Sequence, residues 1–371
     1  MMKIGFDAKR AFNNRTGLGN YSRFVLNSLI QYLPHYEYIA YTPKINKELY
    51  AEFREGAARL PSINNKLYSA WWRSYGIIKD VLKDDIAIFH GLSNELPQGI
   101  EKTTIKSVVT IHDLIFLRYP ALYPAVDRFF YKRKFKSACQ RAAIIVAISE
   151  QTKRDIIDFY KIAPQKIQVV YQDCHEAFHQ KITEIDRQTV LKKYDITQPF
   201  VLSVGTIEVR KNQLRLVEAF QEANLPNATL ILVGGKTSYQ DEIENFIAKN
   251  NLKNKIKILN KVPFADLPAL YQSAKIFAYI SVFEGFGIPI VEALHSQIPV
   301  LAATGSCLEE AGGNAAIYTN PVDKTAIATD LKNLWHDENL QQQLIENAPS
   351  HLQKFAAPQI AHELGKIYES L

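Results

Sequence analysis

Ser281-Val282-Phe283-Glu284-Gly285-Phe286-Gly287-Ile288-Pro289-Ile290-Val291-Glu292-Ala293-Leu294 is the stretch that decides the fold. The apolar run just before it, 276–280, reads as a buried strand. A glycine-containing loop follows, and Pro289 suits the first turn of a helix, where a missing N–H costs nothing. Strand, glycine loop and helix in that order belong to a parallel α/β unit. The free N–H groups of such a helix start form an anion site, and glycine lets a ligand approach the backbone. Two acids, Glu284 and Glu292, flank the site. Carboxylates do not bind phosphate, but they accept hydrogen bonds from sugar hydroxyls. The composite is a phosphate with a sugar ring on each side, the shape of a nucleotide-sugar.

The same grammar extends outward through both halves of the chain. In the first half, strands are expected at 3–8, 38–42, 86–90, 106–112 and 144–148. Helices are expected at 19–32, 125–142 and 150–160, the last capped by Ser149. The second half restarts the pattern, with strands at 200–204, 229–233, 255–259, 276–280 and 299–303. Its helices are expected at 213–221, 238–250, 265–273, 289–296 and 324–336. Two blocks of alternating strands and helices imply an α/β chain with two Rossmann-like domains. The polar stretch at 180–199 marks the boundary between residues 1–182 and 195–350, with 351–371 a separate helical tail.

Composition bounds the function. The 371 residues are 47 % hydrophobic and 22 % charged, ordinary for a soluble globular protein. Cys139, Cys174 and Cys307 are far apart, which argues against a disulfide framework and fits a reducing compartment. The nine histidines do not cluster with them along the chain at ligand spacing, so no zinc site is expected. No secretory signal and no run of 18 apolar residues is visible. A cytoplasmic location is therefore expected, with peripheral attachment to the inner face of the membrane as a further option.

The net charge of +6 is locally concentrated. Arg128-Phe129-Phe130-Tyr131-Lys132-Arg133-Lys134-Phe135-Lys136 interleaves cations with aromatics. Such a face suits an anionic membrane surface. A solvated helix face with aromatics packed inward is the alternative. No nucleic-acid recognition motif accompanies the charge, so nucleic acid is not expected as a partner.

Several segments together carry a family resemblance. The Glu284 to Glu292 string resembles the Glu-x7-Glu motif of retaining glycosyltransferases of family 4, which have the GT-B fold. Val204-Gly205-Thr206-Ile207-Glu208-Val209-Arg210-Lys211-Asn212 is similar to that family's diphosphate loop. Val109-Thr110-Ile111-His112-Asp113-Leu114 resembles its first-domain histidine motif. Ile145-Val146-Ala147-Ile148-Ser149 resembles the segment closing that domain, and Gly17-Leu18-Gly19 its first strand-to-helix loop. The His-Asp-Leu and Arg-Lys-Asn versions look most like the bacterial mannosyltransferase-like subgroup.

The resemblance implies two lobes facing across a cleft, with a C-terminal helix crossing back to the first lobe. It implies that Glu284 contacts hydroxyls of the donor hexose and helps stabilise positive charge at its anomeric carbon. Glu292 would bind the ribose hydroxyls, and backbone N–H groups of Phe286, Gly287 and Ile288 would bind sugar or phosphate oxygens. Gly205, Arg210 and Lys211 would hold the diphosphate, whose growing charge must be met by cations or dipoles as it leaves. His112 would lie near the donor hexose. The base is expected near Gly234, Gly235 and Val262. Gly17, Leu18 and Gly19 fit either a phosphate or acceptor contact or a plain turn, with 11–16 as the mobile part of that loop. Many relatives carry arginine where Thr206 stands; either Arg210 compensates or the site holds phosphate less tightly.

No Asp-x-Asp stands at a strand end, so catalysis without a metal or other cofactor is expected. The expected reaction is transfer of a hexose, mannose from GDP-mannose, to a glycan or lipid-linked acceptor in surface polysaccharide or lipopolysaccharide assembly. A UDP-sugar donor is the first alternative. A GT-B nucleotide-sugar epimerase and a non-enzymatic two-lobed sugar-binding protein are alternatives of other classes.

Overall fold

The computed structural model describes residues 1–50, 58–63 and 65–371. These divide into two compact units, Met1–Asp173 with Lys354–Leu371, and Cys174–Gln353. Each unit is built on one parallel sheet.

In the first unit the strands are β1 (Lys3–Asp7), β2 (Glu37–Tyr41), β3 (Ala58–Arg59), β4 (Ile88–Gly91), β5 (Lys106–Ile111), β6 (Ile144–Ala147) and β7 (Ile167–Val169). Their order is β3-β2-β1-β4-β5-β6-β7, and every pairing is parallel. The principal helices are α1 (Gly17–Tyr32), α2 (Ala125–Arg141) and α3 (Glu150–Tyr160). Ser149 caps α3 by accepting from the Thr152 N–H, as its sequence position suggests.

The second unit opens with α4 (Glu184–Lys193), which lies within the polar stretch expected to hold the boundary. Thr183 caps it through the Asp186 N–H. None of its residues is buried, so it lacks the apolar stripe by which an amphipathic helix is read. The sheet comprises β8 (Phe200–Val204), β9 (Thr229–Val233), β10 (Ile256–Leu259), β11 (Ile276–Tyr279), β12 (Val300–Ala303) and β13 (Ala316–Thr319). Their order is β10-β9-β8-β11-β12-β13, again all parallel. Helices α5 (Gln213–Ala223), α6 (Tyr239–Lys249), α7 (Leu267–Ser273), α8 (Ile288–His295), α9 (Lys324–His336) and α10 (Glu338–Leu352) cover the faces. β9 and β12 are buried along their whole length, as strands covered on both faces must be.

Counted from its own first strand, each sheet runs 3-2-1-4-5-6 from one edge, the doubly wound order. The reversal points lie between β1 and β4 and between β8 and β11, and ligands of such sheets bind beyond the carboxyl ends of the strands there.

Helix α10 continues through Pro349 to Leu352, past the expected break near residue 350. Helix α11 (Ala357–Glu369) then packs on α1 within the first unit. Its Gly365 lies against Leu33, and its Tyr368 hydroxyl is 2.8 Å from His90 Nδ1.

Candidate active site

The loops leaving β8 and β11 meet at the reversal point of the second sheet. The Val282 N–H donates to the Arg210 carbonyl at 2.9 Å, and the Ser281 hydroxyl oxygen lies 3.1 Å from the same oxygen. These contacts set Arg210 and Lys211, from the first loop, against Glu284, from the second.

Glu284 is 8 % exposed and is gripped from several sides. Arg210 Nη1 lies 2.6 Å from its Oε2, and Lys211 Nζ lies 2.6 Å from its Oε1. Tyr279 donates to Oε1 at 3.1 Å, and Ser281 donates to it as well. Burial alone would raise the carboxyl's pKa. Lys211 and then Arg210 outweigh it and hold the group down at about 2. Glu284 is therefore a fixed anion at neutral pH and has no proton to give.

The two cations are also engaged. Arg210 donates to the Phe283 carbonyl at 2.7 Å and pairs with Glu208 at 2.6 Å. Lys211 donates to the Tyr279 hydroxyl. Burial works against the Arg210 charge, but Glu284 and Glu208 overcome it and raise its pKa. Two cations thus face two carboxylates, and the protein itself supplies the counter-charge that the sequence assigned to a diphosphate.

Gly287 adopts φ 127°, and a Cβ there would stand 2.9 Å from the Leu308 side chain, so only glycine makes this turn. It caps α8, whose first turn contains Pro289 and begins at Ile288. Phe286 is buried beside it. Four residues further along α8, Glu292 accepts from the Tyr271 hydroxyl at 2.7 Å. Burial pushes the Glu292 carboxyl up to about 7, against the pull of that one bond. The two acids of the motif thus sit in opposite environments, one charge-clamped and one poorly solvated.

The remaining residues expected on the donor side cluster at neighbouring strand ends. Gly205 donates to Val233 at 2.8 Å and Ile207 to Gly235 at 3.0 Å. Asn260, two residues before Val262, donates to the Gly234 carbonyl at 2.9 Å. Thr206 is exposed between them.

In the first unit, His112 follows β5 and is 6 % exposed. Its N–H donates to Asn94 at 2.8 Å, and its ring edge meets Tyr21 at 4.6 Å between centroids. Nε2 lies 2.9 Å from the Leu92 carbonyl. A carbonyl only accepts, so Nε2 carries the proton and Nδ1 keeps a lone pair. Burial lowers the ring's pKa to about 4, with Arg10 acting in the same sense and the Leu92 bond opposing. His112 is thus a neutral hydrogen-bonding group, able to accept from a hydroxyl. Behind it runs a buried chain: Tyr21 OH to Thr110 Oγ1 at 3.0 Å, Thr110 Oγ1 to His90 Nε2 at 2.9 Å, and His90 to Tyr368.

Gly17, Leu18 and Gly19 form the first turn of α1 rather than a loop before it. A Cβ on Gly19 would lie 1.8 Å from the Asn14 carbonyl oxygen, so this helix start is fitted against its approach segment. That segment was expected to be mobile. Ala11–Asn13 of it lies in the short helix Lys9–Asn13, and Arg23 clamps the Ala11 and Asn14 carbonyls at 2.8 and 2.9 Å.

The sequence reading missed a charge cluster at the reversal point of the first sheet. Arg73 contacts Asp7, at the end of β1, at 2.6 Å, and Glu95, in the loop after β4, at 2.9 Å. Arg73 sits on a π-helical turn, Trp72–Gly76, a rare geometry often found at functional sites. The only early sign was an acid closing the first strand.

Helix α2 divides its aromatics. Tyr131 and Phe135 pack around Phe116, with centroids at 5.8 and 5.5 Å. Val126, Phe129 and Phe130 stay more than half exposed among the basic residues. Among the described residues, no helix is long and apolar enough to cross a membrane.

Two families match the chain in tandem, one per unit: Glycosyltransferase Family 4 over residues 19–172 and Glycosyl transferases group 1 over residues 186–351. The chain belongs to the family 4, group 1 glycosyltransferases. It is similar to the O-antigen chain mannosyltransferase B of Escherichia coli, with 30 % identity over 68 % of this chain and 66 % of that one. It is also similar to the O-antigen chain mannosyltransferase RfbU of Salmonella typhimurium, with 26 % identity over 61 % and 60 %. The chain thus spans just under two thirds of these relatives' lengths. A glycosyltransferase from Rickettsia africae has the same fold, with a TM-score of 0.78 at 19 % identity over 100 % of this chain and 98 % of the other. The family 4 assignment agrees with the two doubly wound sheets and accounts for motifs at the ends of their strands.

Proposed function

We propose that this protein is a retaining hexosyltransferase. It takes mannose from GDP-mannose and transfers it to a glycan or lipid-linked acceptor in surface polysaccharide assembly. The observation that carries the reading is the Arg210–Lys211–Glu284 clamp at a sheet reversal point, next to a helix start suited to anions. The mannosyltransferase relatives support the sugar.

The chemistry follows from these groups. As the bond between the anomeric carbon and the diphosphate oxygen breaks, positive charge grows on the sugar and negative charge on the leaving group. Glu284, ionised throughout, stabilises the first; Arg210, Lys211 and the N–H groups from Phe286 to Ile288 meet the second. The acceptor hydroxyl forms its new bond on the face the diphosphate leaves, and its proton passes to the departing phosphate oxygen. No protein nucleophile takes part. The cations fill the place a metal holds in other transferases, so turnover is metal-independent. Glu292 binds the ribose diol, Gly205 and Val262 line the nucleotide, and His112 Nδ1 accepts from a hexose hydroxyl. Gly17, Leu18 and Gly19 belong to the acceptor side.

Helix α2 supplies the membrane contact, because Phe129 and Phe130 stand exposed among Arg128, Lys132 and Arg133. Co-sedimentation with vesicles containing phosphatidylglycerol should fall sharply in the Phe129→Ala, Phe130→Ala double variant.

The decisive experiment is a donor panel without added divalent cation, read as release of free nucleoside diphosphate. Turnover of GDP-mannose is expected. Turnover of a UDP-sugar alone would move the reading to a UDP donor, and no turnover or binding of any donor would overturn it.

A further inference from the structure

The second unit contains a group of side chains that the proposed transfer does not use. Cys174 and His179 come from the segment that opens this unit, and His295 comes from the last turn of α8. Cys174 Sγ lies 3.7 Å from His179 Nε2. The His179 and His295 rings stack at 3.8 Å between centroids with 21° between their planes. One ligand atom from each of the three falls within 4.8 Å of the others. Along the chain the three had no ligand spacing; the fold creates it.

We propose that Cys174, His179 and His295 bind a zinc ion. A thiolate with two imidazoles is a donor set that suits zinc among the common divalent cations. With zinc–sulfur and zinc–nitrogen bonds of ordinary length, a tetrahedral site separates sulfur from nitrogen by about 3.6 Å. The Cys174 to His179 distance already matches that edge. The two imidazole rings are stacked nearly parallel, so sharing an ion at a tetrahedral nitrogen spacing of about 3.3 Å requires the His295 ring to turn until its lone pair converges with that of His179.

The surroundings favour a cation and allow it in. His295 closes α8, where the carbonyl end of the helix dipole favours positive charge. Cys174 is buried while His179 is exposed, so the sulfur has a dry side and the ion has an entry path. His175 is not a ligand: its Nδ1 accepts from the Ala177 N–H at 3.1 Å and its ring packs edge-on against Phe264.

The site has a structural consequence. Zinc would tie the segment at 174–179 to the end of α8. Phe178, beside His179, packs on Tyr271 at 5.2 Å, and Tyr271 donates to Glu292. The ion would therefore brace the tyrosine that orients Glu292, without entering the chemistry.

The test uses the full chain and needs no sugar donor. Protein purified without chelator should carry about one zinc per chain by elemental analysis, and stripped protein should take up zinc in competition with a chromophoric chelator. Loading the stripped protein with Co2+ should produce thiolate-to-cobalt charge-transfer absorption in the near ultraviolet. Cys174→Ser should abolish that band. His295→Gln, checked for folding by circular dichroism, should weaken zinc binding at least tenfold, as should His179→Gln. Absence of the charge-transfer band in the wild-type protein would overturn the proposal. So would equal zinc affinity in the wild type and both histidine variants.

Discussion

Lys211 holds its ammonium nitrogen 2.6 Å from Oε1 of Glu284, so the acid that opens the sequence motif is neutralised by a cation from the loop that leaves β8. Arg210 completes the clamp on Oε2. In the proposed reaction, binding and catalysis compete for the same two cations, and the first prediction follows. Glu284→Gln should lower transfer on the order of 10²–10³-fold, the usual cost of removing one charge-stabilising group. The same variant frees Arg210 and Lys211, so its affinity for nucleoside diphosphate should rise, by about tenfold or 1.4 kcal/mol. Isothermal titration calorimetry beside a turnover assay reads both. Lower affinity together with lower turnover would show that Glu284 organises the phosphate site rather than opposing it.

Glu292 sits near its own titration point at neutral pH. Only the ionised carboxylate accepts from both hydroxyls of a ribose, so nucleotide affinity should improve as pH rises through about 7. A single coupled proton gives about a tenfold gain between pH 6 and 8. The nucleotide also titrates, so the control is Glu292→Gln, in which this protein-derived gain should vanish. The sign for stability is opposite. The folded pKa is raised, so the folded state holds the proton longer, and stability falls between about pH 4.5 and 7. Glu292→Gln should flatten that fall in chemical denaturation.

Acid should unfold the first unit through His90 and His112. Burial lowers their pKa values to about 3 and about 4, from 6.5. Below pH 6.5 the unfolded chain binds protons that the folded one refuses, so stability drops from there toward pH 4, by several kcal/mol on the order of 1.4 kcal/mol per pH unit per group. Glu284 acts in a lower window. Its depressed pKa contributes stability that is present above about 4.5 and is lost toward about 2. Urea midpoints for His90→Gln should show a shallower slope between pH 6.5 and 4.5 than the wild type, whatever its stability at pH 7.

Arg73 bridges Asp7 and Glu95. Arg73→Met would remove that bridge near the sheet's carboxyl end, leaving Lys9 near both acids and Lys134 at 3.8 Å from Glu95 as the remaining cations. Breaking a buried pair of this kind typically costs about 3–5 kcal/mol, and the partial exposure of Glu95 places the expected loss at about 3. Arg73→Lys should recover little, since one ammonium cannot reproduce the fork that spans two acids. Thermal denaturation of the two variants checks both statements.

Much of this architecture was legible in the chain. Strands β8 and β9 and helices α3 and α9 coincide with their expected bounds, because β-branched runs and 3.6-residue periodicity dominate locally. Helix α4 was hidden because it has no buried face to give a period. The strand expected from Ile86 starts at Ile88, because the Ile86 N–H is taken by the Val81 carbonyl. In the site, sequence placed Glu284, Glu292, Arg210 and Lys211 in one neighbourhood. It did not show that the cations clamp Glu284, which depends on how two loops 70 residues apart are joined by the Arg210 carbonyl. Arg73 and the Cys174 group carry no local pattern, so only the fold reveals them.

The wide turn at Trp72–Gly76 is an α-helix with one residue too many. Such a turn can tighten by a single-residue register slip, and a slip of that kind rotates every following side chain by about 100° around the helix axis. Arg73 would then lose its aim at Asp7 and Glu95. The charge balance of the first unit's strand ends is therefore tied to the length of this segment as well as to its composition. A one-residue deletion there would regularise the helix while unmaking the bridge, so the segment should tolerate substitution far better than a change in length.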